Sequence, residues 1–141
     1  MLELPKIKNG TSIVIQREIK EEDTALNYGS GRLENLLATP SLIALMIEGA
    51  VKLVDDKLPD GVITVGKMIQ IEHQKPTGLG ATVSVKVVVK EFDGARILFD
   101  IQAYDEIGMI GSGSHERWIV NKNSLLQRAT ERAEKLKNKD F

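Results

Sequence analysis

Hydrophobic positions change their spacing along this chain, and the changes mark its elements. Residues 11–19 are rich in β-branched side chains and predict a first strand. Polar and glycine-rich sequence follows, Glu21-Glu22-Asp23-Thr24 and then Asn27-Tyr28-Gly29-Ser30-Gly31, which predicts a loop with flexible hinges. Residues 38–54 predict one strong helix. Thr39 stands where an N-cap belongs, and Pro40 takes the first helical position, where no partner is lost with the missing N–H. From Leu42 to Val51 this helix is apolar almost all round, with Glu48 as its one charged residue, so it is expected to be buried on most sides.

The second half alternates with period two. Ile63, Val65, Ile69 and Ile71 are expected on one face of a strand, and Ala81, Val83, Val85, Val87 and Val89 on one face of the next. Ile97, Phe99, Ile101 and Ala103 repeat the pattern. Asp93-Gly94 predicts a short hairpin, and Asp105-Glu106-Ile107-Gly108 a second tight turn into a last strand that runs to Val120. After a cap at Asn123 or Ser124, Leu125, Leu126, Ala129, Ala133 and Leu136 recur at helical spacing. One buried helix followed by a long antiparallel meander is an α+β architecture. No repeat, low-complexity tract or linker interrupts the chain, so residues 1–141 read as a single domain with 122–141 as a helical extension.

Composition narrows the function classes. With 42% hydrophobic and 28% charged residues the chain is ordinary globular material. At 141 residues it can bury roughly two-thirds of its unfolded surface without staples. Nineteen basic against twenty acidic residues leave a net charge of -1, which argues against a nucleic-acid or anionic-membrane partner. The charge is uneven: from Lys122 onward six basic and three acidic side chains give +3, leaving -4 on the rest. Such a helix docks on its own domain with a solvated face, or meets an acidic partner or a cofactor phosphate. The absence of cysteine excludes disulfides, thiolate catalysis and Cys-ligated metals, and two histidines without an acidic cluster argue against structural zinc. The first residues, Met1-Leu2-Glu3-Leu4-Pro5-Lys6, carry no apolar run of a signal peptide, and no stretch has the length of a membrane span. A cytoplasmic protein is the expectation.

Four side chains are candidates for chemistry. His73, at the end of its strand and in phase with the apolar face, suits acid–base work because its reference pKa is about 6.5; the alternative is a core histidine satisfied by backbone. Thr39 offers a hydroxyl beside helix N–H groups that could hold an oxyanion or carbonyl, or it is a plain cap. Glu48, if buried, is a base or nucleophile; it also stands four residues before Lys52, in the favourable order for a surface ion pair. Arg117, in phase with His115 and Gly113, could hold a carboxylate, a phosphate or a structural acid. No nucleotide-binding fingerprint and no serine–histidine–aspartate elbow are present.

Three stretches together resemble a known family: Ala38-Thr39-Pro40 with Leu45-Met46, His73-Gln74-Lys75-Pro76-Thr77-Gly78-Leu79-Gly80, and Ile110-Gly111-Ser112-Gly113-Ser114-His115-Glu116-Arg117. The chain is similar to hotdog-fold thioesterases of the fluoroacetyl-CoA thioesterase-like group. The likeness runs over roughly residues 11–120. It implies a hotdog fold, a long antiparallel sheet wrapped around one central helix, and hydrolysis of a small acyl-CoA thioester. It further implies a homodimer or higher oligomer with sites at the interface, and no cofactor beyond the coenzyme A of the substrate. The catalytic residues implied are Thr39, His73 and a glutamate, without metal; Gly66 and Arg117 match positions that bind substrate. The family glutamate falls on Ile47, and Glu48 comes one residue later; a one-residue bulge in the helix would restore its aim. The aromatic-rich lid of the fluorinated-substrate enzymes is replaced by the lone Tyr28. From a different class, a non-catalytic acyl-CoA binding protein would retain Thr39, His73 and Arg117. The direction of Glu48 separates the two. A hotdog dehydratase ranks last, because no aspartate lies within ten residues of His73.

Overall fold

Alternating apolar positions fold here into one antiparallel sheet, curved over a single helix. The computed structural model describes residues 7–138; Met1 to Lys6, on which the signal-peptide expectation rests, and residues 139–141 lie outside them. In chain order the elements are β1 (Ser12–Glu18), α1 (Thr39–Val54), β2 (Val62–His73), β3 (Thr82–Phe92), β4 (Arg96–Tyr104), β5 (Met109–Asn121) and α2 (Lys122–Lys137). Hydrogen bonding orders the strands β1-β3-β4-β5-β2, all antiparallel. Both expected turns form for the reason read from their residues. Asp93 Oδ1 accepts from the Ala95 and Arg96 N–H groups, and Asp105 Oδ1 from those of Ile107 and Gly108, each aspartate building its own turn.

The core lies between α1 and the central strands. Leu42, Met46, Ala50 and Val54 of α1 meet Val83, Val85 and Val87 of β3 and Ile97, Phe99 and Ile101 of β4, all nearly inaccessible. Each such large side chain contributes about 1.5–3 kcal/mol on burial. Gly49 sets how closely the helix descends, since a Cβ there would lie 2.8 Å from Val87 Cγ2. The burial of α1 is incomplete: Ile43, Ile47 and Val51 are half-buried and Ala44, Glu48 and Lys52 exposed, so one side of this apolar helix is uncovered within the chain.

Three local expectations are corrected. Ala38, not Thr39, is the N-cap of α1: its backbone is extended and its carbonyl takes the first helical bond, from Leu42 N at 3.1 Å. Thr39 is the first helical residue and Pro40 follows it. Asn121, rather than Asn123 or Ser124, caps α2, its side chain accepting from Ser124 N. Ile63 and Val65 do not share a face with Ile69, Ile71 and His73. A bulge between Gly66 and Met68 adds a residue to β2 and reverses its phase, so Thr64 and Gly66 face α1 instead. Among the described residues no helix is long and apolar enough to cross a membrane.

Candidate active site

Two elements distant in sequence bring Thr39 and His73 together. His73 ends β2 opposite Gly111, and both following backbone groups, Gln74 N and Lys75 N, donate to Ile110 O. The segment entering α1 is tied to the same corner, by Leu37 N to Thr77 O at 2.8 Å and Leu79 N to Asn35 O at 2.7 Å. Ala38 N donates to Asp23 O at 2.9 Å. So anchored, Thr39 Oγ1 lies 2.8 Å from His73 Nδ1. The other ring nitrogen, Nε2, is buried and has no partner among the described residues. Burial pulls the His73 pKa below its usual value, with the Lys75 backbone acting in the opposite direction. The ring is therefore mostly neutral at pH 7. A hydroxyl can give or take a proton, so either ring nitrogen can act as the base. Thr39 and His73 line a cavity of about 350 Å³ whose walls include Tyr28, Leu33 and Leu36, with Lys75 as its one cationic side chain.

Glu48 is not brought to this pair. α1 is continuous from Thr39 to Val54, so no bulge redirects the carboxylate. Glu48 Oε1 binds Lys52 Nζ at 3.0 Å, and both side chains are about half exposed. It lines a separate cavity of about 240 Å³ with Arg17, Asp23, Ser41 and Tyr28, so that Tyr28 forms a wall common to both cavities. Nine residues of helix separate Thr39 from Glu48, a rise of about 13.5 Å. Beyond the end of the helix Asp55 turns to Thr64, whose hydroxyl donates to Asp55 Oδ1 at 2.5 Å.

Arg117 and Gly66 meet beneath the other half of β2. Arg117 is buried; its Nε donates to Thr64 Oγ1 at 2.8 Å and its Nη2 to Thr64 O at 2.9 Å. Its Nη1 lies 3.2 Å from His115 Nε2. His115 Nδ1 lies 2.7 Å from Met68 O, and a carbonyl only accepts, so Nδ1 carries the proton and Nε2 accepts from the arginine. The ring also stacks on Phe99, with centroids 6.1 Å apart. Burial first, then the backbone and Arg117 in opposite senses, leave the His115 pKa lowered. Burial also lowers that of Arg117, against the pull of Asp55. Gly66 lies over this cluster: a Cβ would sit 3.3 Å from Arg117 Nη1. His115 was visible in sequence only as a residue in phase with Arg117. The glycines of the same run have a backbone role. A Cβ at Gly111 would lie 2.7 Å from Glu72 O, and one at Gly113 would strike β2 as well.

A five-stranded antiparallel sheet wrapped on one central helix is the hotdog fold. A hot-dog-like protein from Thermanaerovibrio acidaminovorans has the same arrangement, at TM-score 0.83 and 30% identity over 88% of this chain and 91% of that one. The fluoroacetyl-CoA thioesterase structure shares the fold at TM-score 0.84 with 21% identity, over 90% of this chain and 98% of that one. The chain matches the family described as fluoroacetyl-CoA-specific thioesterase over residues 19–123, and it belongs to that family. The fluoroacetyl-CoA thioesterase of Streptantibioticus cattleyicolor is 30% identical over 86 residues, 61% of this chain; the match spans 62% of that enzyme, less than two-thirds of its length. The family match holds Thr39, Glu48, Gly66, His73 and Arg117 and leaves out nearly all of α2.

Proposed function

We propose that this protein is an acyl-CoA thioesterase that hydrolyses a small acyl-CoA to free acid and coenzyme A. The observation that carries this reading is the 2.8 Å contact between Thr39 Oγ1 and His73 Nδ1 at a mainly apolar cavity, with His73 Nε2 left unpartnered. Family membership supports the same chemistry. In the proposed reaction Thr39 orients the acyl carbonyl. His73 takes a proton from the attacking water and returns it to the departing coenzyme A thiolate as the C–S bond breaks. Lys75 on the cavity wall offers a cation to the phosphates of coenzyme A, whereas Gly66 and the buried Arg117, bonded to Thr64 and His115, lie outside that cavity. Coenzyme A enters as part of the substrate, and no metal or other cofactor takes part. The enzyme works in the cytoplasm as a homodimer.

Glu48 enters this scheme from a second subunit. The rise of about 13.5 Å between Thr39 and Glu48 keeps both from one thioester carbonyl within a single chain. A glutamate acting as base or nucleophile beside His73 is then the partner's, which fits a site at a dimer interface and the uncovered side of α1. Mixing inactive His73→Ala with slowed Glu48→Gln chains, and subtracting the residual rate of each alone, tests this. Random re-pairing should restore about a quarter of wild-type turnover if the site is shared, and none if each chain holds its own. The Glu48–Lys52 contact supports a second reading, a non-catalytic acyl-CoA binding protein. Thiol release from a panel of short and medium acyl-CoA esters decides between them. Turnover lost in His73→Ala establishes the enzyme and names the preferred chain. No turnover from any ester, with saturable thermal protection by acyl-CoA, leaves the binding protein.

A further inference from the structure

A run of polar contacts leads to Thr39 from the strand at the far edge of the sheet. β1 and β2 are the two edge strands, and His73 ends β2. From β1 comes Arg17. Its Nη2 lies 2.9 Å from Asp23 Oδ1, and its Nε donates to Asp23 Oδ2 at 3.2 Å, a two-pronged ion pair. Asp23 Oδ2 also accepts from Lys20 N at 3.0 Å, while Asp23 N donates to Lys20 O at 2.9 Å. The single helical turn that carries Asp23 is thereby fixed to the end of β1. The Asp23 side chain is 7% exposed, that of Arg17 44%.

Asp23 in turn holds the entrance of α1. Its carbonyl accepts from Ala38 N, and Ala38 O accepts from Leu42 N, so the residue before Thr39 is bonded on both sides. Ala25 N donates to Leu36 O at 2.8 Å, which completes a short antiparallel pairing of residues 23–25 with 36–38. The covalent path between these two strips adds little restraint. It runs through Gly29 and Gly31, both at left-handed φ (71° and 73°), and through the exposed Leu26, Tyr28 and Leu33. The other flank of this strip is bonded to Thr77 and Leu79, in the connection that leaves His73, and so moves with the histidine. The flank on Asp23 is the one that starts from a different strand.

Arg17 stands apart from the cavity that Thr39 and His73 share. It lines the smaller one with Glu22, Asp23 and Glu48. Its hydrogen bond to Asp23, against burial, and the charges of Asp23, Glu22 and Glu48 raise its pKa. With three carboxylates beside it, the guanidinium leaves no positive field for a phosphate.

We propose that Arg17 and Asp23 are positioning residues of the Thr39–His73 site. The ion pair fixes the Asp23 carbonyl, the carbonyl fixes Ala38, and Ala38 brings the Thr39 hydroxyl to His73 Nδ1. Misplacing a reacting group by about 1 Å can cost about 100-fold in rate, so a remote pair of this kind is felt at the chemistry. The expected effect on rate rests on the thioesterase reading; the contact itself does not.

The experiment is a double-mutant cycle on the full chain. Arg17→Met keeps most of the stem, removes the fork and, at a half-exposed position, should leave the thermal midpoint nearly unchanged. It should lower kcat about tenfold or more, hold KM within about twofold, and cost nothing further in a Thr39→Ala background. Arg17→Lys, which keeps the charge without the fork, should recover part of the loss. A second readout needs no turnover. The chain has two histidines, so the His73 ring signal in proton–nitrogen NMR spectra is the one missing from His73→Ala. In Arg17→Met it should shift as it does in Thr39→Ala, with the His115 signal unmoved. An equal loss of rate in both backgrounds overturns the proposal and makes the pair a prop of the whole fold. A loss carried by KM overturns it too and makes Arg17 a substrate contact. So does an unmoved His73 signal, whatever the rate. If the wild type releases thiol from no ester while the His73 signal shifts as stated, the thioesterase reading fails and the positioning stands. Should Arg17→Met not fold, Arg17→Lys carries the same two measurements.

Discussion

The chain has two histidines, and both lie on the helix-facing side of the sheet in contact with another side chain. They differ in what is left over. At His115 every hydrogen-bonding group is used: Nδ1–H on Met68 O, Nε2 on Arg117, and Arg117 in turn on Thr64. At His73 one nitrogen meets a hydroxyl that can act as donor or acceptor, and the other meets nothing among the described residues. A buried polar group without a partner costs about 1–3 kcal/mol, so a fold keeps one where it is used. The satisfied cluster is a scaffold that holds β2 on β5. The pair with a free nitrogen is the proposed site.

The comparison is broken most decisively at His73. His73→Ala should lower kcat/KM for thioester hydrolysis by at least about 100-fold, with the thermal midpoint nearly unchanged. Unfolding rather than inactivity would put His73 with the scaffold. Arg117→Met should do the opposite. Thr64 and His115 lose a charged partner together, and stability should fall by about 3 kcal/mol in urea titration. A variant that folds as well as wild type but binds acyl-CoA poorly would make Arg117 a substrate contact instead. Glu48→Gln should slow turnover at least about tenfold, or 1.4 kcal/mol in the barrier. An unchanged rate would leave Glu48 as the partner of Lys52 alone.

The smallest effect is on pH. Burial lowers the pKa of both histidines in the folded chain, so below about pH 6.5 the unfolded chain binds more protons. Stability should therefore rise with pH through the window between the folded values and 6.5, and be lost as pH falls through it. The acidic limb of kcat/KM should likewise lie below the ordinary histidine range, following the neutral His73 ring. A limb at or above 6.5 would show that His73 is not the group that must be deprotonated.

Much of this was legible from residue spacing alone, because it depends on near neighbours. The core face of β3 followed from strict alternation, the aspartate turns from side chains that bond their own backbone, and α1 from a long apolar run. His73 stood out by its phase with an apolar face, Thr39 as a hydroxyl at a helix start, and Arg117 by its phase with His115 and Gly113 in a run of small residues. The misreadings also have local causes. The cap of α1 was assigned by residue type, whereas Ala38 caps by backbone conformation while the Thr39 hydroxyl turns to His73. The bulge after Gly66 leaves no mark on composition, yet it sends Ile63 and Val65 to the outer face.

By itself, then, the sequence determined which segments are strand or helix, that one helix is apolar enough to be wrapped, and which polar groups interrupt the apolar faces. These are properties of stretches a few residues long, where sterics and hydrophobic period act directly. Tertiary structure decided which of those groups meet. Thr39 and His73 are thirty-four residues apart, and Thr64 and Arg117 fifty-three. Whether such groups touch depends on strand order, register and the point at which α1 crosses the sheet. Those are set by closing the whole core at once, and no single segment carries them.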